Sequence, residues 1–396
     1  MENTSSSALP TNLHSRGRNR RVLEVHWTFP PTTGGVESHL ADLSRQLVAR
    51  GCEVTILTGE PHPMASCGCD VVSSELLNLD RIKYRVRRDP NAVALIEQQL
   101  VEIILSRRIT TIHGHNLHHF DRAPAQAIDQ LRARYRLQVY HTFHETWPDL
   151  LRNKPVYRRW DGNFAVSSFV QQQCRQLLGF EPELLPLGVD TELFRAVDRC
   201  RKPDSIPVVL HPARLLPWKG VEISIRMLRL LVDRGQEAQL LITASQRIAD
   251  WHGELAGYHA LILDLIQKLD LGSRVRLVDA AYAEMPRLYA NADVVVYPTI
   301  GEEPYGLVPL EAMSSGRPIV ASQSGGIAET VVDGVTGFTV ARGDVTGLAD
   351  RVGLVLSTPS LAHRLGTAGR SHVMQRFSAD AYVTALVQRF ASAAPE

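Results

Sequence analysis

The sequence predicts an α/β protein built from two doubly wound parallel sheets. Patterns typical of buried strands alternate with helical patterns along almost the whole chain. A polar stretch at 198–204 interrupts this alternation, which then restarts. The chain has 396 residues, of which 44% are hydrophobic, more than one core usually holds. We therefore expect two domains.

The first strand–helix–strand unit begins at 21–27 (RVLEVHW), which predicts a buried strand. A turn rich in proline and glycine follows at 30–35, and apolar residues then recur at helical spacing from Val36 to Leu47. The segment 54–58 (VTILT) predicts the next strand. Two strands joined by a helix indicate a right-handed parallel unit.

The same pattern recurs through the rest of the chain. Ser168 is expected to cap one helix, and the clearest later helices are predicted at 221–233 and 377–390. Further strands are predicted at 110–114, 137–142, 163–167 and 184–188, and then at 208–212, 239–243, 274–278, 293–298, 318–321 and 337–340.

These elements divide the chain into a polar tail and two Rossmann-like domains. Residues 1–20 are expected to be disordered, and the two domains to occupy 21–200 and 201–375, with a closing helical segment at 376–396. Ligands of such sheets bind outside the carboxyl ends of the strands. The two domains are therefore predicted to face each other across a cleft that holds the site.

Composition excludes several classes of partner. The formal net charge of +1 gives no overall attraction for nucleic acid. No apolar run reaches the ~18–20 residues that span a bilayer, and the first residues lack the apolar segment of a secretory signal. Five scattered cysteines favour a reducing cytoplasm. We expect a cytoplasmic protein without stable membrane insertion, although arginines at 16–21 leave a weak surface contact open.

The most informative motif is EEPYGLVPLEA at 302–312, which follows the predicted strand 293–298. Glu303 and Glu311 flank Tyr305-Gly306, and a helix is predicted from Leu307. Free backbone amides at a helix start attract anions. A carboxylate one turn into the helix can accept two hydrogen bonds from a diol such as a ribose. Acidic residues that merely favour the positive end of a helix are the simpler interpretation.

Three further turns follow predicted strands. Arg214 and Lys219 place two cations in the first turn of the second half, where they suit a diphosphate. Gly34 and Gly35 let backbone approach a phosphate or sugar closely. The turn at 324–326 (SGG) is either a second such feature or a structural turn.

Together and in this order, these motifs resemble family 4 glycosyltransferases of the GT-B fold, from about Arg21 to the end of the chain. The family pattern of two glutamates eight residues apart, with an aromatic-glycine pair between them, is met by 303–311. RLLPWKG at 214–220, GVD at 188–190 and SGGIAE at 324–329 are supporting matches.

The resemblance implies a role for each matched residue. Glu311 would hold the ribose, Glu303 the donor hexose, and Arg214 and Lys219 the leaving diphosphate. Gly35, beside Gly34, would approach the phosphate from the other domain. Tyr305 lies in the turn whose next amides, those of Gly306, Leu307 and Val308, would hold the sugar and the distal phosphate. The last helix would cross back to the first domain.

Histidines supply the remaining candidates. His144 ends the segment TFH (142–144), which matches the family's Thr-x-His pattern at a strand end, and it is expected to face donor and acceptor. His113, His115, His118 and His119 suggest a metal at first sight. They are expected on a turn without a clear carboxylate partner, so we predict no metal site and no cofactor.

The chain departs from the family at two places. PAR at 212–214 stands where Val-Gly-Arg is usual, and 243–246 (TASQ), followed by WHG at 251–253, replaces a common glycine turn. The second change leaves the nucleotide base open.

The expected function is retaining, metal-independent transfer of a hexose or N-acetylhexosamine from a nucleotide-sugar donor, with UDP-GlcNAc or UDP-glucose favoured. The expected acceptor is a small polar molecule, such as an aminocyclitol or aminoglycoside intermediate of antibiotic biosynthesis. Glu145, Asp149, Asp121 and Asp161 are candidates for an acidic acceptor pocket. Alternatives are a cell-envelope lipid or polysaccharide acceptor, a sugar-nucleotide 2-epimerase, and a non-catalytic sugar-nucleotide-binding protein.

Overall fold

A computed structural model describes residues 20–65, 68–84, 91–146, 150–197, 205–245 and 255–392. The predicted tail and linker, and the unusual 251–253 segment, therefore lie outside the described residues, apart from Arg20 at the end of the tail. None of the described helices is both long and apolar enough to cross a membrane.

Two parallel sheets form the centres of two three-layered α/β domains. The strands of the first sheet are β1 (Arg21–His26), β2 (Glu53–Thr58), β3 (Asp70–Ser73), β4 (Thr111–His115), β5 (Gln138–Phe143), β6 (Gly162–Ala165) and β7 (Glu183–Leu184). Those of the second are β8 (Val208–Pro212), β9 (Gln239–Thr243), β10 (Val275–Val278), β11 (Val294–Tyr297), β12 (Ile319–Ser322) and β13 (Phe338–Val340).

Helices connect these strands. In the first half they are α1 (Gly35–Ala49), α2 (Leu79–Tyr84), α3 (Ala92–Arg107), α4 (Ala123–Tyr135), α5 (Leu150–Tyr157) and α6 (Ser168–Leu178). In the second half they are α7 (Val221–Asp233), α8 (Leu255–Lys268), α9 (Met285–Asn291), α10 (Leu307–Ser314), α11 (Ile327–Thr330), α12 (Val345–Ser357), α13 (Pro359–Arg376) and α14 (Ala379–Ser392).

Strand order explains where a ligand can bind. The first sheet runs β3-β2-β1-β4-β5-β6-β7 and the second β10-β9-β8-β11-β12-β13, so the order reverses beside β1 and beside β8. Loops that leave neighbouring strands in opposite directions open a crevice at such a reversal. The predicted fold class of two doubly wound domains is confirmed.

The strands are continuous apolar runs because helices cover both faces of each sheet. All four residues of β11 (VVVY) are buried, for example. Strand β1 carries a charged residue among its buried ones, Glu24, whose side chain is fully buried.

The last helix lies against the first domain although it follows the second in sequence. Tyr140 in β5 donates a hydrogen bond to the carbonyl of Arg389 at 3.0 Å. Backbone bonds also join Val189 to the chain just before α14, since its N–H donates to Phe377 and its carbonyl accepts from Ala379. Helix α14 thus ties the second domain back to the first.

Several boundaries differ from the sequence expectation. The cap of α6 is Ser167, one residue before the expected Ser168, because the Ser167 side chain accepts from the Val170 N–H at 3.1 Å. Strand β3 was not predicted, and the strand expected at 184–188 shortens to β7. Both are short edge strands with weak sequence patterns.

Candidate active site

A cavity of about 240 Å³ lies between the two domains. Loops that follow β1 and β5 in the first sheet, and β8 and β11 in the second, line this cavity. Every residue singled out as a catalytic or donor-binding candidate lines this cavity: His144, Arg214, Lys219, Glu303, Gly34, Gly35, Tyr305, Gly306, Leu307, Val308 and Glu311.

Lys219 and Glu303 form a buried ion pair on the wall of the second domain. The Nζ atom of Lys219 lies 2.7 Å from Oε2 of Glu303. Tyr297, at the end of β11, donates its hydroxyl hydrogen to the same carboxylate oxygen at 2.9 Å and accepts from Lys219. Two residues that are 84 positions apart are thus fixed side by side.

Burial shapes the charges of this group. It lowers the pKa of Lys219, while the adjacent Glu303 carboxylate opposes that shift. Burial, with the Glu303 charge, raises the pKa of Tyr297 well above its usual value, so Tyr297 stays a donor. The Lys219 ammonium also lies 3.9 Å from the ring centre of Trp218, where it is attracted to the aromatic face.

Gly220 explains why the Lys219 turn can approach β11. Its φ is +74°, and a Cβ there would lie 1.9 Å from the carbonyl oxygen of Pro298. Only glycine permits both the left-handed backbone and this approach. The carbonyl of Trp218 then accepts from the Ile300 N–H at 2.9 Å, which fastens the turn to the loop after β11.

Glu311 is the second buried carboxylate of the cavity. Its Oε2 accepts a hydrogen bond from the Tyr289 hydroxyl at 2.7 Å. Burial raises the pKa of Glu311 to about 7, although the Tyr289 hydrogen bond acts in the opposite direction. Its charge therefore changes close to neutral pH.

Two helix starts meet in the cavity, one from each domain. Helix α1 begins at Gly35 and α10 at Leu307, and both starts line the cavity. A Cβ on Gly35 would lie 4.0 Å from a methyl of Leu307, so the two ends are in near contact. Both helices direct free amides and the positive ends of their dipoles at the same space.

The glycine turn at 324–326 supports the Glu303 loop from behind. Gly325 has φ +43°, and a Cβ there would lie 2.1 Å from the carbonyl oxygen of Glu303. The Ser324 hydroxyl accepts from the Glu303 N–H at 2.9 Å. Of the two interpretations left open for this motif, the structure favours the structural turn.

Hydrogen bonds across the domains surround the cavity. The Tyr305 hydroxyl donates to the carbonyl of Leu187, and the Ser167 hydroxyl donates to that of Pro304 at 2.6 Å. Glu329 of the second domain accepts from the first two amides of α6, at 2.9 and 2.8 Å. The two halves of the site are thus held in a defined relation.

His144 forms the wall of the first domain and is hydrogen-bonded to a second histidine. Its Nε2 lies 2.9 Å from Nδ1 of His115, whose Nε2 lies 2.8 Å from Oε2 of Glu24. Burial, with His115 and His39 nearby, lowers the pKa of His144 well below its usual value. His144 is therefore neutral at ordinary pH.

The expectation about the other histidines was wrong in two respects. His113 and His115 lie in β4 and not on a turn, and Glu24 is a close carboxylate partner. The error arose because β1 and β4 are distant in sequence, although Glu24 pairs directly with His113 in the sheet. The ligand atoms of Glu24, His113 and His115 lie within 4.8 Å of one another.

The acidic acceptor pocket is only partly assembled. Glu145 lines the cavity. Asp121 instead accepts a hydrogen bond from the N–H of Ala123, the first residue of α4, at 2.9 Å. Asp161 directly precedes β6, at the amino ends of the strands and thus opposite the cavity, and it pairs with Arg132. Asp149 lies outside the described residues.

Sequence reasoning missed Tyr289, Tyr297 and Glu24. The two tyrosines carried no signal of their own, because aromatic residues are common in cores. Glu24 did carry one, since a lone acid inside an otherwise apolar strand (RVLEVHW) requires a partner.

Comparison with known proteins decides the family. Residues 33–193 match the family model described as Glycosyltransferase Family 4, and residues 197–372 match Glycosyl transferases group 1. A GDP-mannose-dependent alpha-(1-6)-phosphatidylinositol monomannoside mannosyltransferase of Mycolicibacterium smegmatis is 31% identical, over 88% of this chain and 92% of that protein. The chain belongs to the family 4 glycosyltransferases.

Other relatives agree with this assignment. A glycogen synthase of Mycobacterium tuberculosis is 27% identical over 94% of this glycosyltransferase and 95% of its own length. A sucrose-phosphate synthase structure from Thermosynechococcus elongatus superposes with a TM-score of 0.79 at 23% identity, covering 94% of this chain and 98% of the other. The protein is thus an enzyme that transfers a sugar, on a GT-B fold.

Proposed function

We propose that this glycosyltransferase moves a hexose or N-acetylhexosamine from a nucleoside-diphosphate sugar to a hydroxyl of a small polar acceptor, with retention of anomeric configuration. The donor would lie with its ribose at Glu311, its diphosphate at Arg214 and Lys219, and its sugar at Glu303.

The contact between Lys219 and Glu303 is the observation that carries this proposal. In a nucleotide sugar, the anomeric carbon and the distal phosphate share one oxygen atom. A residue that binds the phosphate and one that binds the sugar must therefore be neighbours. The 2.7 Å ion pair beside the starts of α1 and α10 meets that requirement.

Same-face attack fits these residues. The acceptor oxygen would form its bond to the anomeric carbon as the bond to the phosphate oxygen breaks, and the acceptor proton would pass to the leaving phosphate. Arg214 and Lys219 would stabilise the charge that develops there. The Glu303 carboxylate already accepts hydrogen bonds from Lys219 and Tyr297, which favours a binding role for Glu303 over that of a nucleophile.

Three donors remain candidates. The sequence favours UDP-glucose or UDP-GlcNAc, whereas the relative from Mycolicibacterium smegmatis is named for GDP-mannose. The proposed contacts would suit each of them, because diphosphate, ribose and hexose are common to all three compounds.

The acceptor is proposed to be a small cyclitol-like polyol, such as an aminocyclitol. Glu145 on the cavity wall would suit an ammonium group. The alternative, a lipid-linked acceptor, is suggested by the phosphatidylinositol in the name of that relative. Its charged headgroup would need free cations on α1, but Arg45 pairs with Asp42 and Asp190, and Arg50 pairs with Asp380.

Mass spectrometry of the full chain with UDP-glucose, UDP-GlcNAc and GDP-mannose tests the proposal, with inositol, an aminocyclitol and a phosphatidylinositol as acceptors. A product heavier than the polyol by one sugar residue is expected, and proton coupling at its anomeric carbon should show the configuration of the donor. An inverted anomer would overturn the retaining mechanism. A 2-epimer formed from donor alone would support the epimerase, and binding without any product would support a binding protein.

A further inference from the structure

Three side chains form a hydrogen-bonded chain from the interior of the first sheet to the wall of the cavity. Glu24 lies in β1, His115 in β4, and His144 directly after β5. The carboxylate Oε2 lies 2.8 Å from His115 Nε2, and His115 Nδ1 lies 2.9 Å from His144 Nε2. Glu24 and His115 are fully buried, and neither lines the cavity.

The positions of the protons follow from the buried end of this chain, the Glu24 carboxylate. An ionised carboxylate only accepts hydrogen bonds, so His115 must donate from Nε2. A neutral imidazole has one donor and one acceptor nitrogen, so Nδ1 of His115 accepts. His144 must then donate from Nε2, which leaves the lone pair of its Nδ1 as the acceptor available to a ligand.

We propose that Glu24 and His115 are positioning residues that hold His144 in its Nε2–H tautomer, so that the cavity presents a hydrogen-bond acceptor at this point. The inference rests on the proposed function only for the nature of the ligand. It predicts that the bound substrate offers a hydroxyl or N–H to His144.

Two further histidines and a tyrosine lie close to this chain of hydrogen bonds. The ring of His39 in α1 has its centre 5.5 Å from that of His144, and Tyr382 of α14 packs against His39 at 5.2 Å. His113 lies beside His115, with ring centres 4.2 Å apart, and its Nδ1 is 3.0 Å from the same Glu24 oxygen. Reversing one tautomer would place two lone pairs or two hydrogens face to face at a buried contact.

The His144 backbone is fixed as well as its ring. Its N–H donates to the side-chain oxygen of Asn116 at 2.8 Å. Asn116 directly follows β4, so the same pair of strands that supplies Glu24 and His115 also sets the position of His144. Ring state and ring position therefore have a common structural origin.

Nitrogen NMR of the histidine rings in the full-length protein tests the tautomer without any assay of transfer. His144→Gln and His115→Phe assign the two rings by the loss of their signals. We expect His144 to be protonated at Nε2 and bare at Nδ1 in the wild-type protein. A His144 protonated at Nδ1, or a signal that averages both tautomers, would overturn the proposal.

The same spectra distinguish the competing use of these side chains. A divalent cation bound to Glu24, His113 and His115 would remove the proton from His115 Nε2. Two results together would overturn the proposal in favour of a metal site: the purified protein contains Zn²⁺, and added Zn²⁺ shifts the ring-nitrogen signals of His113 and His115 with saturation at one equivalent. Spectra unchanged by Zn²⁺ and by chelation support the hydrogen-bonded chain.

A double-mutant cycle tests the functional consequence. Glu24→Gln keeps the size of the side chain but replaces one carboxylate oxygen with an NH₂ group. In one orientation this NH₂ group points its hydrogens at His115. In the other it occupies the position of Oε1, which is buried without a partner in the described structure. We expect kcat/KM to fall by roughly 10- to 100-fold, the scale for losing a group that orients a histidine. In the His144→Gln background the same change should have little further effect.

The control is His141→Gln, which removes another fully buried histidine from β5. Its Nε2 accepts from the Leu117 N–H at 3.1 Å and takes no part in the chain. The control should lose stability while the tautomer and kcat/KM are retained. Equal, additive losses for Glu24→Gln with and without His144 would reduce Glu24 to a structural role and overturn the proposal. If no sugar is transferred at all, the function fails but the NMR result still stands.

Discussion

The wall that the second domain contributes to the cleft carries charged side chains, whereas the wall from the first domain is largely neutral. Lys219, Glu303 and Glu311 are buried on the former, and tyrosines hold both acids. On the latter, His144 is uncharged and its partner charge, Glu24, is two side chains away from the cavity. Burial is similar on both walls. The walls differ in where the buried charges lie: those of the second domain line the cavity, whereas Glu24 of the first domain is separated from it by two histidines.

Under the proposed function, this contrast would suit a donor whose charge is confined to its diphosphate. A diphosphate requires cations that remain ionised, and the second wall keeps Lys219 beside Glu303 to stabilise that state. Sugar and acceptor hydroxyls require hydrogen-bond partners of fixed polarity, and the first wall supplies one through a fixed imidazole. Four predictions test this division of labour, from the largest expected effect to the smallest.

Replacement of Lys219 should have the largest effect. Lys219→Ala is expected to lower kcat by roughly 10²–10³-fold, the usual result of removing one charge-stabilising group from a transition state. Steady-state kinetics with the preferred donor measures this. Lys268→Ala, which breaks a surface ion pair with Asp264, is the matched control and should leave kcat unchanged. Near-wild-type turnover of Lys219→Ala would remove the phosphate role.

Glu311→Gln should weaken donor binding with less effect on turnover. Hydrogen bonds to a charged group contribute about 1.5–3 kcal/mol, or roughly 10- to 150-fold in Kd. Calorimetric titration with the nucleoside diphosphate measures the change. Glu237→Gln, at an exposed ion pair with Arg274, controls for the loss of one negative charge. Unchanged affinity in Glu311→Gln would place the ribose elsewhere.

Nucleotide affinity should rise with pH. The pKa of Glu311 is raised to about 7 by burial, so in the free protein this carboxyl is largely protonated at pH 6 and ionised at pH 8. Only the ionised form accepts two hydroxyl hydrogens, and one titration centred near 7 gives roughly tenfold tighter binding across that interval. The slope should vanish in Glu311→Gln. A rise that persists in that variant would assign the titration to another group.

Tyr305→Phe should have the smallest effect and concerns the joint between the two walls. It removes the hydrogen bond from Tyr305 to the carbonyl of Leu187. The expected loss is about 0.5–1.5 kcal/mol of unfolding free energy, measured by denaturant titration, with donor affinity little changed. A large loss of donor affinity would show that the tyrosine acts in the site as well as between domains.

The two walls also differed in how far sequence could predict them. Glu303 and Glu311 belong to one short loop-and-helix segment, so their spacing alone placed both at one strand end. Glu24, His115 and His144 come from three strands, and only the register of β1 against β4 and β4 against β5 brings them together. The spacing of residues in the sequence predicts the geometry within one short segment. It does not predict how distant strands align with each other in a sheet.

Smaller errors have the same origin. His113 and His115 were expected on a turn, but they lie in β4, a fully buried strand that includes Gly114 between them. Asp161 was expected near the acceptor, yet it directly precedes β6 and therefore lies at the amino ends of the strands. In a parallel sheet, only residues that follow their strands lie at the carboxyl ends, where ligands bind.

A crystal structure of the protein with an intact nucleoside-diphosphate sugar is the most direct test of the central claim. The account predicts a diphosphate between Arg214 and Lys219, with the ribose hydroxyls at Glu311 and the hexose at Glu303. A nucleotide bound outside the cleft, or one whose phosphates lie away from both cations, would contradict it.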